Sequence, residues 1–312
     1  MGGVGPERDV SRESGSCVAQ ALEKAGYDVI RCDVSPDDLA CLQDTPVEVF
    51  FVALHGEFGE DGQLQTLLEQ RGLTYTGRRP AACKTAFDKM AAKTVFARQG
   101  VFTPEAVVVT SEMTSDCFAR AVEPLGERVV VKPIRQGSSV GVHIVDRDED
   151  VYDRCRATLD TFGSCMVETF IQGHEVTVGI LGHIALPVLE IRTATGFYDY
   201  HAKYQDERTT YLVDESETAG QLQQAALSCF HAIGLRHMAR MDFILTDAGR
   251  AYALEINAIP GLTSHSLLPK AAARAGMDMS EVCRRMINAA LEDRPGSMTS
   301  GRHLMSIDGK NA

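Results

Sequence analysis

The sequence predicts an α/β protein with more than one packed unit, on three observations. Apolar runs rich in Val and Ile alternate with stretches of 3.6-residue period. One run, VEVFFVAL at Val47–Leu54, is apolar at nearly every position and reads as a buried parallel strand. The chain has 312 residues, 44% of them hydrophobic, enough for two or three packed units.

In chain order, a helix over Ser14–Ala25 feeds a strand at Tyr27–Cys32; the buried strand Val47–Leu54 and a helix over Gly62–Gln70 follow. The turn-rich TYTGRRP of Thr74–Pro80 sets a boundary near residue 80. A helix over Thr85–Arg98 opens the next unit. It leads to a strand at Glu105–Val109, a helix near Cys117–Pro124, strands at Arg128–Lys132 and Val142–Val145, a helix over Glu149–Asp160 and a strand at Ser164–Phe170, the pattern of an antiparallel α+β sandwich. Strands Glu175–Leu181 and Ala185–Ile191 precede the polar loop Thr193–Thr210, which is longer than a plain connection needs and is a candidate lid. A helix over Thr218–Ile233, a hairpin of Ala239–Leu245 and Ala251–Asn257 turned by DAGR, and helices over Ser266–Arg274 and Ser280–Leu291 complete the order. The tail after Pro295 is polar and expected to be disordered.

Charge and composition narrow the partners. Lys and Arg number 31 and Asp and Glu 43, a net charge of −12 that repels phosphodiester backbones and anionic membranes, so neither nucleic acid nor membrane is an expected partner. No apolar run reaches the roughly 18 residues of a spanning helix, and MGGVGPERDV has no signal-peptide pattern; a soluble, cytoplasmic protein is expected. The nine cysteines are scattered without a C-x-x-C pair, as reduced buried residues would be.

Five segments carry chemistry. Lys132-Pro-Ile-Arg-Gln-Gly-Ser138-Ser139-Val-Gly141 follows the strand RVVV and combines a cation, hydroxyl donors and glycines, suited to a phosphate chain, yet it lacks the order of a P-loop. Arg240-Met-Asp242-Phe and Leu254-Glu255-Ile-Asn257 stand on the two hairpin strands; their carboxylates and amide are hard oxygen ligands of the kind Mg²⁺ takes beside nucleotide phosphates. A solvated polar face is the alternative, and the apolar setting of this hairpin tells against it, because acids there would be costly unless they held a metal. Asn257 to Ser266 is a Gly-bearing loop entering a helix, fit for a carboxylate or oxyanion, or for simple N-capping by Ser264 or Ser266. His55 follows the buried strand, where ligands of parallel sheets collect. Gly2 to Ser11 is a Gly-rich entry to a helix whose Glu7 can meet an ammonium group.

Together GGxxxERxVSxxSG, ALHGxxGEDGxxQ, KPxRxGSSVG, FYDYxAKY, RxDF and LExNxxPGxTxHS, in this order from Gly2 to about Leu291, resemble the D-alanine–D-alanine ligases of the ATP-grasp superfamily. The resemblance implies a three-domain ATP-grasp fold: an N-terminal α/β substrate domain over 1–80, a central subdomain over 81–168, a C-terminal subdomain over 169–293 and a tail from 294 to 312. It implies ATP-dependent joining of two D-alanines through an acyl phosphate for peptidoglycan precursor synthesis. The substrates are then ATP and D-alanine, with two Mg²⁺ or Mn²⁺ as cofactors and a homodimer as the common assembly. Related ligases for D-lactate or D-serine, and an inactive nucleotide-binding homologue, stand as alternatives.

Carried over residue by residue, the resemblance sets Lys89, Lys132, Ser138 and Ser139 against the ATP phosphates, and Glu168, Phe170, Ile171 and Glu175 against adenine and ribose. Phe197 and Lys203 fall on the lid, and Asp242, Glu255 and Asn257 hold the metals. Glu7 binds the first ammonium, with His55 bordering its pocket; Arg240 and the Gly261 N–H face the oxyanion; Ser266, Leu267 and Lys203 take the second carboxylate. Tyr204, paired in the family with the Ser138 and Glu7 positions, closes the lid and favours an amine nucleophile, hence the dipeptide. The chain departs from the family at its start: Met1 stands directly before Gly2, where a first β-strand is usual, and the expectation is that the coding start lies upstream. A second departure is Gly5-Pro6, where the family has small residues.

Overall fold

Helix α1 (Arg8–Lys24) starts directly after Glu7 and turns Val10, Val18 and Leu22 inward at helical spacing. In the computed structural model, which describes residues 1–43, 46–147, 150–193, 208–214 and 216–294, this helix and α2 (Gln63–Gln70) flank the extended segments of the N-terminal unit. The strands expected at Tyr27–Cys32 and Val47–Leu54 do not form as regular ladders. Isolated parallel bridges, Gly2 to Val34 and Phe50 to Tyr75, take their place. Residues of both segments line an apolar cavity of about 570 Å³. Met1 lines this cavity, and its amino group donates to the Cys32 carbonyl at 3.0 Å.

The helix expected over Thr85–Arg98 is two helices, α3 (Pro80–Phe87) and α4 (Lys89–Arg98), broken at Asp88. Asp88 leaves the helical region, with ψ at 105°, and its carboxylate caps α4 by accepting from the Met90 and Ala91 N–H groups. The break puts Lys89 at the first position of α4. Both helices pack Ala82, Ala86, Ala92 and Phe96 against the second sheet rather than the first, so the packing unit around that sheet includes residues 80–98.

The first sheet is antiparallel, in the order β1 (Ala106–Val109), β4 (Cys165–Thr169), β2 (Arg128–Lys132), β3 (His143–Asp146). Helices α5 (Ser115–Val122) and α6 (Val151–Phe162) cover one face, where Val129 and Val131 join Phe118 and Cys155 in a core. Alternation sends Val130 and Lys132 to the opposite face. The second sheet runs β10 (Ala251–Asn257), β9 (Met238–Leu245), β5 (His174–Leu181), β7 (Leu189–Arg192), β8 (Thr210–Val213), with the short β6 (Ile184–Ala185) paired to β5. Its pairs are also antiparallel. Helix α7 (Glu217–Ile233) packs on it beside α3 and α4. Helices α8 (Leu267–Arg274) and α9 (Met279–Glu292) return to the N-terminal unit, sharing one core with Leu22, Leu54 and Leu68. Much of the candidate lid loop, residues 194–207, and the tail from 295 lie outside the described residues. Among the described residues, no helix is long and apolar enough to cross a membrane.

Phe96 is fully buried where α4 meets the second sheet. Phe96→Ala is expected to lower unfolding free energy by about 3–5 kcal/mol, through lost burial and the cavity left behind, read from the chemical denaturation midpoint.

Candidate active site

Strand β2 ends in Lys132, and the loop after it holds Ser138 and Ser139 in the left-handed region, with φ of 52° and 57°. Non-glycine residues hold that conformation only where surrounding structure enforces it, which is common at ligand clamps. The Lys132 ammonium pairs with Glu168 on β4, and Lys93 Nζ lies 2.8 Å from the other oxygen of the same carboxylate. Lys93 also donates to Thr103 Oγ1 and the Pro104 carbonyl, each at 2.8 Å. Burial would raise the Glu168 pKa, but Lys132 and Lys93 outweigh it and hold the carboxyl below its ordinary value. Burial brings Lys93 down to about 8. One turn of α4 away, Lys89 Nζ donates to the Gln136 carbonyl at 2.6 Å and stands 3.4 Å from Glu255 Oε2.

Glu255 reaches that position through a β-bulge. The register of β9 and β10 shifts between Ala253 and Glu255, which sets Glu255 opposite Asp242 and Asn257 opposite Arg240. Arg240 grips Asp242 with two bonds of 2.9 and 2.8 Å, Thr177 Oγ1 donates to it at 2.6 Å, and Asn257 Nδ2 donates at 2.9 Å. The hairpin acids therefore do not form a solvated polar face; they are drawn into one bonded cluster at the rim of a cavity.

That cavity, about 730 Å³, lies between the two sheets. Lys89, Lys132, Ser139, Glu168, Phe170, Ile171, Glu175, Asp242 and Glu255 all line it, so the amines at 89 and 132 and the hairpin acids face one space. The Arg128 guanidinium stacks on Phe170 at 4.7 Å, giving one wall a flat, cationic surface. Phe197, Lys203 and Tyr204 lie outside the described residues.

A smaller cavity, about 50 Å³, adjoins it and shares Glu255. Glu7, His55, Ser138, Arg240, Asn257, Gly261, Ser266 and Leu267 line it. Glu7 is only 6% exposed and accepts from Ser138 Oγ at 2.5 Å. A Cβ at Gly56 or Gly137 would come within 2.5 or 2.7 Å of Glu7 Oε2, so both glycines are required for the carboxylate to sit there. At Gly261 a Cβ would strike Ser266 Oγ at 2.5 Å. Ser266 occupies the N-cap position of α8 without capping it; its hydroxyl instead accepts from the Thr263 N–H at 3.1 Å. His55 borders the pocket as expected, but its ring nitrogens bond the Ile259 carbonyl and Ser14 Oγ, both at 2.9 Å, which leaves it no polar contact for a substrate.

Sequence reasoning missed four polar residues: Ser14, Glu60, Lys93 and Thr177. Three had a signal. Lys93 is one helical turn from Lys89, Glu60 sits within HGEFGED, and Ser14 is the last serine of GGxxxERxVSxxSG. Thr177 is an ordinary hydroxyl in sequence and becomes visible only when distant segments meet. Glu60 is buried and accepts from the Gly56 N–H at 2.9 Å and the Ile259 N–H at 2.8 Å; burial, then the charge of Glu7, pushes its pKa up to about 7.

Comparison with known proteins identifies what this arrangement is similar to. The family model described as D-ala D-ala ligase C-terminus matches residues 96–288, and that described as D-ala D-ala ligase N-terminus matches residues 39–78. A D-alanine–D-alanine ligase of Syntrophotalea carbinolica is 41% identical over 93% of this chain and 94% of its own length. One from Desulforudis audaxviator is 40% identical over 94% and 97%. The crystal structure of the Bacillus anthracis D-alanine–D-alanine ligase complexed with ATP superposes with a TM-score of 0.81 at 29% identity, covering 94% of this chain and 96% of that one.

Burial lowers the His55 pKa to about 4. An unfolded histidine, near 6.5, takes up a proton in the window between those values that the native one refuses, so the native state loses stability as pH falls through it. Unfolding free energy is expected to drop by up to about 3 kcal/mol between pH 6.5 and 4 from this group. Denaturation midpoints of the protein and of His55→Asn across that range should show the slope reduced in the variant.

Proposed function

The chain belongs to the D-alanine–D-alanine ligase family of the ATP-grasp superfamily, and from that premise we propose that it joins two D-alanines into D-alanyl-D-alanine with the residues of the two adjoining cavities in the roles set out here. The observation that carries the proposal is the shared space: two lysines and two acids from separate elements face one cavity large enough for a nucleotide, and Glu255 links it to a small one floored by Glu7.

ATP lies in the larger cavity. Lys89 and Lys132 take its phosphates, with the hydroxyls of Ser138 and Ser139 beside them, while Phe170 and Ile171 flank the base and Glu168 and Glu175 provide polar contacts to adenine and ribose. Asp242, Glu255 and Asn257 fit Mg²⁺ or Mn²⁺: they bring two carboxylates and an amide together, and hydrogen bonds from Asn257 Nδ2 to Asp242 at 2.9 Å and Glu255 at 3.5 Å keep the three donors close. Two such ions, when bound, neutralise charge on the phosphate oxygens.

In the smaller cavity Glu7 holds the ammonium of the first D-alanine, whose carboxylate oxygen attacks the γ-phosphorus; ADP leaves and an acyl phosphate remains. The amine of the second D-alanine, having lost a proton, attacks the acyl carbon. Arg240 and the Gly261 N–H stabilise the tetrahedral oxyanion, which collapses with loss of inorganic phosphate and formation of the amide. An oxyanion donor of this kind is worth about 2.7–4 kcal/mol. Ser266, the backbone at Leu267 and Lys203 on the lid hold the second carboxylate. Tyr204, with Ser138 and Glu7, favours an amine over a hydroxyl nucleophile, and the 2.5 Å bond between Ser138 and Glu7 supports that pairing. The proposal extends to the division at about residues 80, 168 and 293 and to a homodimer, which light scattering tests.

Phosphate release that depends on D-alanine, with a dipeptide product, is the direct test. Lys132→Met should raise KM for ATP at least tenfold. Gly137→Ala, whose Cβ meets the Glu7 carboxylate, should raise KM for the first D-alanine while leaving ATP binding within about threefold.

A further inference from the structure

Three buried side chains of the N-terminal unit hold the backbone on both sides of Gly261. Glu60 Oε1 accepts from the Ile259 N–H at 2.8 Å, and the Ile259 carbonyl accepts from His55 Nδ1 at 2.9 Å, so both polar groups of one residue are gripped. Past the glycine, the Leu262 N–H donates to Ser14 Oγ at 3.2 Å. Ser14 Oγ in turn lies 2.9 Å from His55 Nε2.

The protons in this set have one consistent arrangement. A carbonyl only accepts, so His55 carries its proton on Nδ1. Nε2 is then an acceptor and takes the Ser14 hydroxyl proton, which leaves the Ser14 lone pairs for the Leu262 N–H. A neutral histidine fits this set without an unused donor or acceptor, in keeping with its depressed pKa. Glu60 is itself fixed at its other oxygen by the Gly56 N–H at 2.9 Å.

We infer that Ser14, His55 and Glu60 are positioning residues that fix the direction of the Gly261 N–H for the second, tetrahedral step of the reaction. They touch no reacting atom. Glycine at 261 is required by the close approach of Ser266 and by itself leaves the peptide free to turn; the grip at 259 and 262 removes that freedom before any charge develops. Because Glu60 and His55 belong to the segment that also meets Glu7 through Gly56, the oxyanion donor and the first-substrate pocket are aligned by one piece of chain.

The inference rests on the ligase reading, and its test separates the two half-reactions. Acyl phosphate formation is followed by positional isotope exchange in γ-¹⁸O-labelled ATP with D-alanine, and the second step by dipeptide formation. Ser14→Ala removes the Leu262 acceptor and is expected to lower kcat for dipeptide about tenfold to hundredfold, the scale of a misplaced donor, with exchange and KM for ATP within about threefold. Glu60→Gln should show the same split, and Ser14→Thr, which keeps the hydroxyl, should restore the rate. Exchange and ligation falling in proportion, or a Ser14→Ala dipeptide rate equal to that of the parent protein, would overturn the inference. A parent protein that forms no dipeptide would instead overturn the ligase reading. If Ser14→Ala does not fold, Glu60→Gln carries the same comparison.

Discussion

A single buried carboxylate between two ammonium groups sets the electrostatics of the molecule. Glu168, 2% exposed, is shared by Lys132 and Lys93. Burying one ion pair is close to neutral at best, and leaving one partner alone costs about 3–5 kcal/mol. The triad resolves this with an excess of one positive charge, and Lys132 presents that excess to the cavity. Lys89 adds a second cation, itself shared with Glu255 on the facing sheet. A chain with a net charge of −12 thus contains a local basic site enclosed by low-dielectric walls, where a phosphate chain gains far more than it would at the surface.

The opposite wall works by the same logic with reversed sign. The bulge in β10 brings Glu255 level with Asp242, and Arg240 neutralises Asp242 in the geometry described. The hairpin acids, with Lys132 on the other sheet and Lys89 on α4, then match the alternating charges of a metal-bound triphosphate. Close backbone approach completes the site: Gly56 and Gly137 let Glu7 lie flat against two loops from different units, which ties the small cavity to the large one. Glu7 is seated by these glycines and by Ser138.

Much of the architecture was legible because its periodicity is strong. The antiparallel strands around Val129–Val131 and Val176–Val178 and the helices α6, α7 and α9 fall within a few residues of their sequence expectations. The failures are physical. Tyr27–Cys32 and Val47–Leu54 have strand-like composition, but a strand is defined by its hydrogen-bonded partner, and here only the isolated bridges Gly2–Val34 and Phe50–Tyr75 form. Asp88 breaks a helix that composition alone would carry through, since its carboxylate caps α4 by accepting from the Met90 and Ala91 N–H groups. In the site, charged residues within motifs were readable, whereas the bonds of His55 to Ser14 and Ile259 were not, because those partners lie 41 and 204 residues away. Long-range hydrogen bonds leave no local trace in sequence.

The central claim is that one triphosphate lies between the two sheets and is held from both. A crystal structure of the protein with a non-hydrolysable ATP analogue, Mg²⁺ and D-alanine tests it most directly. The account requires the phosphates in contact with Lys89 and Lys132, the metal on Asp242, Glu255 and Asn257, and the D-alanine ammonium on Glu7. Phosphates bound in a different cleft, or a metal away from the hairpin, would contradict it.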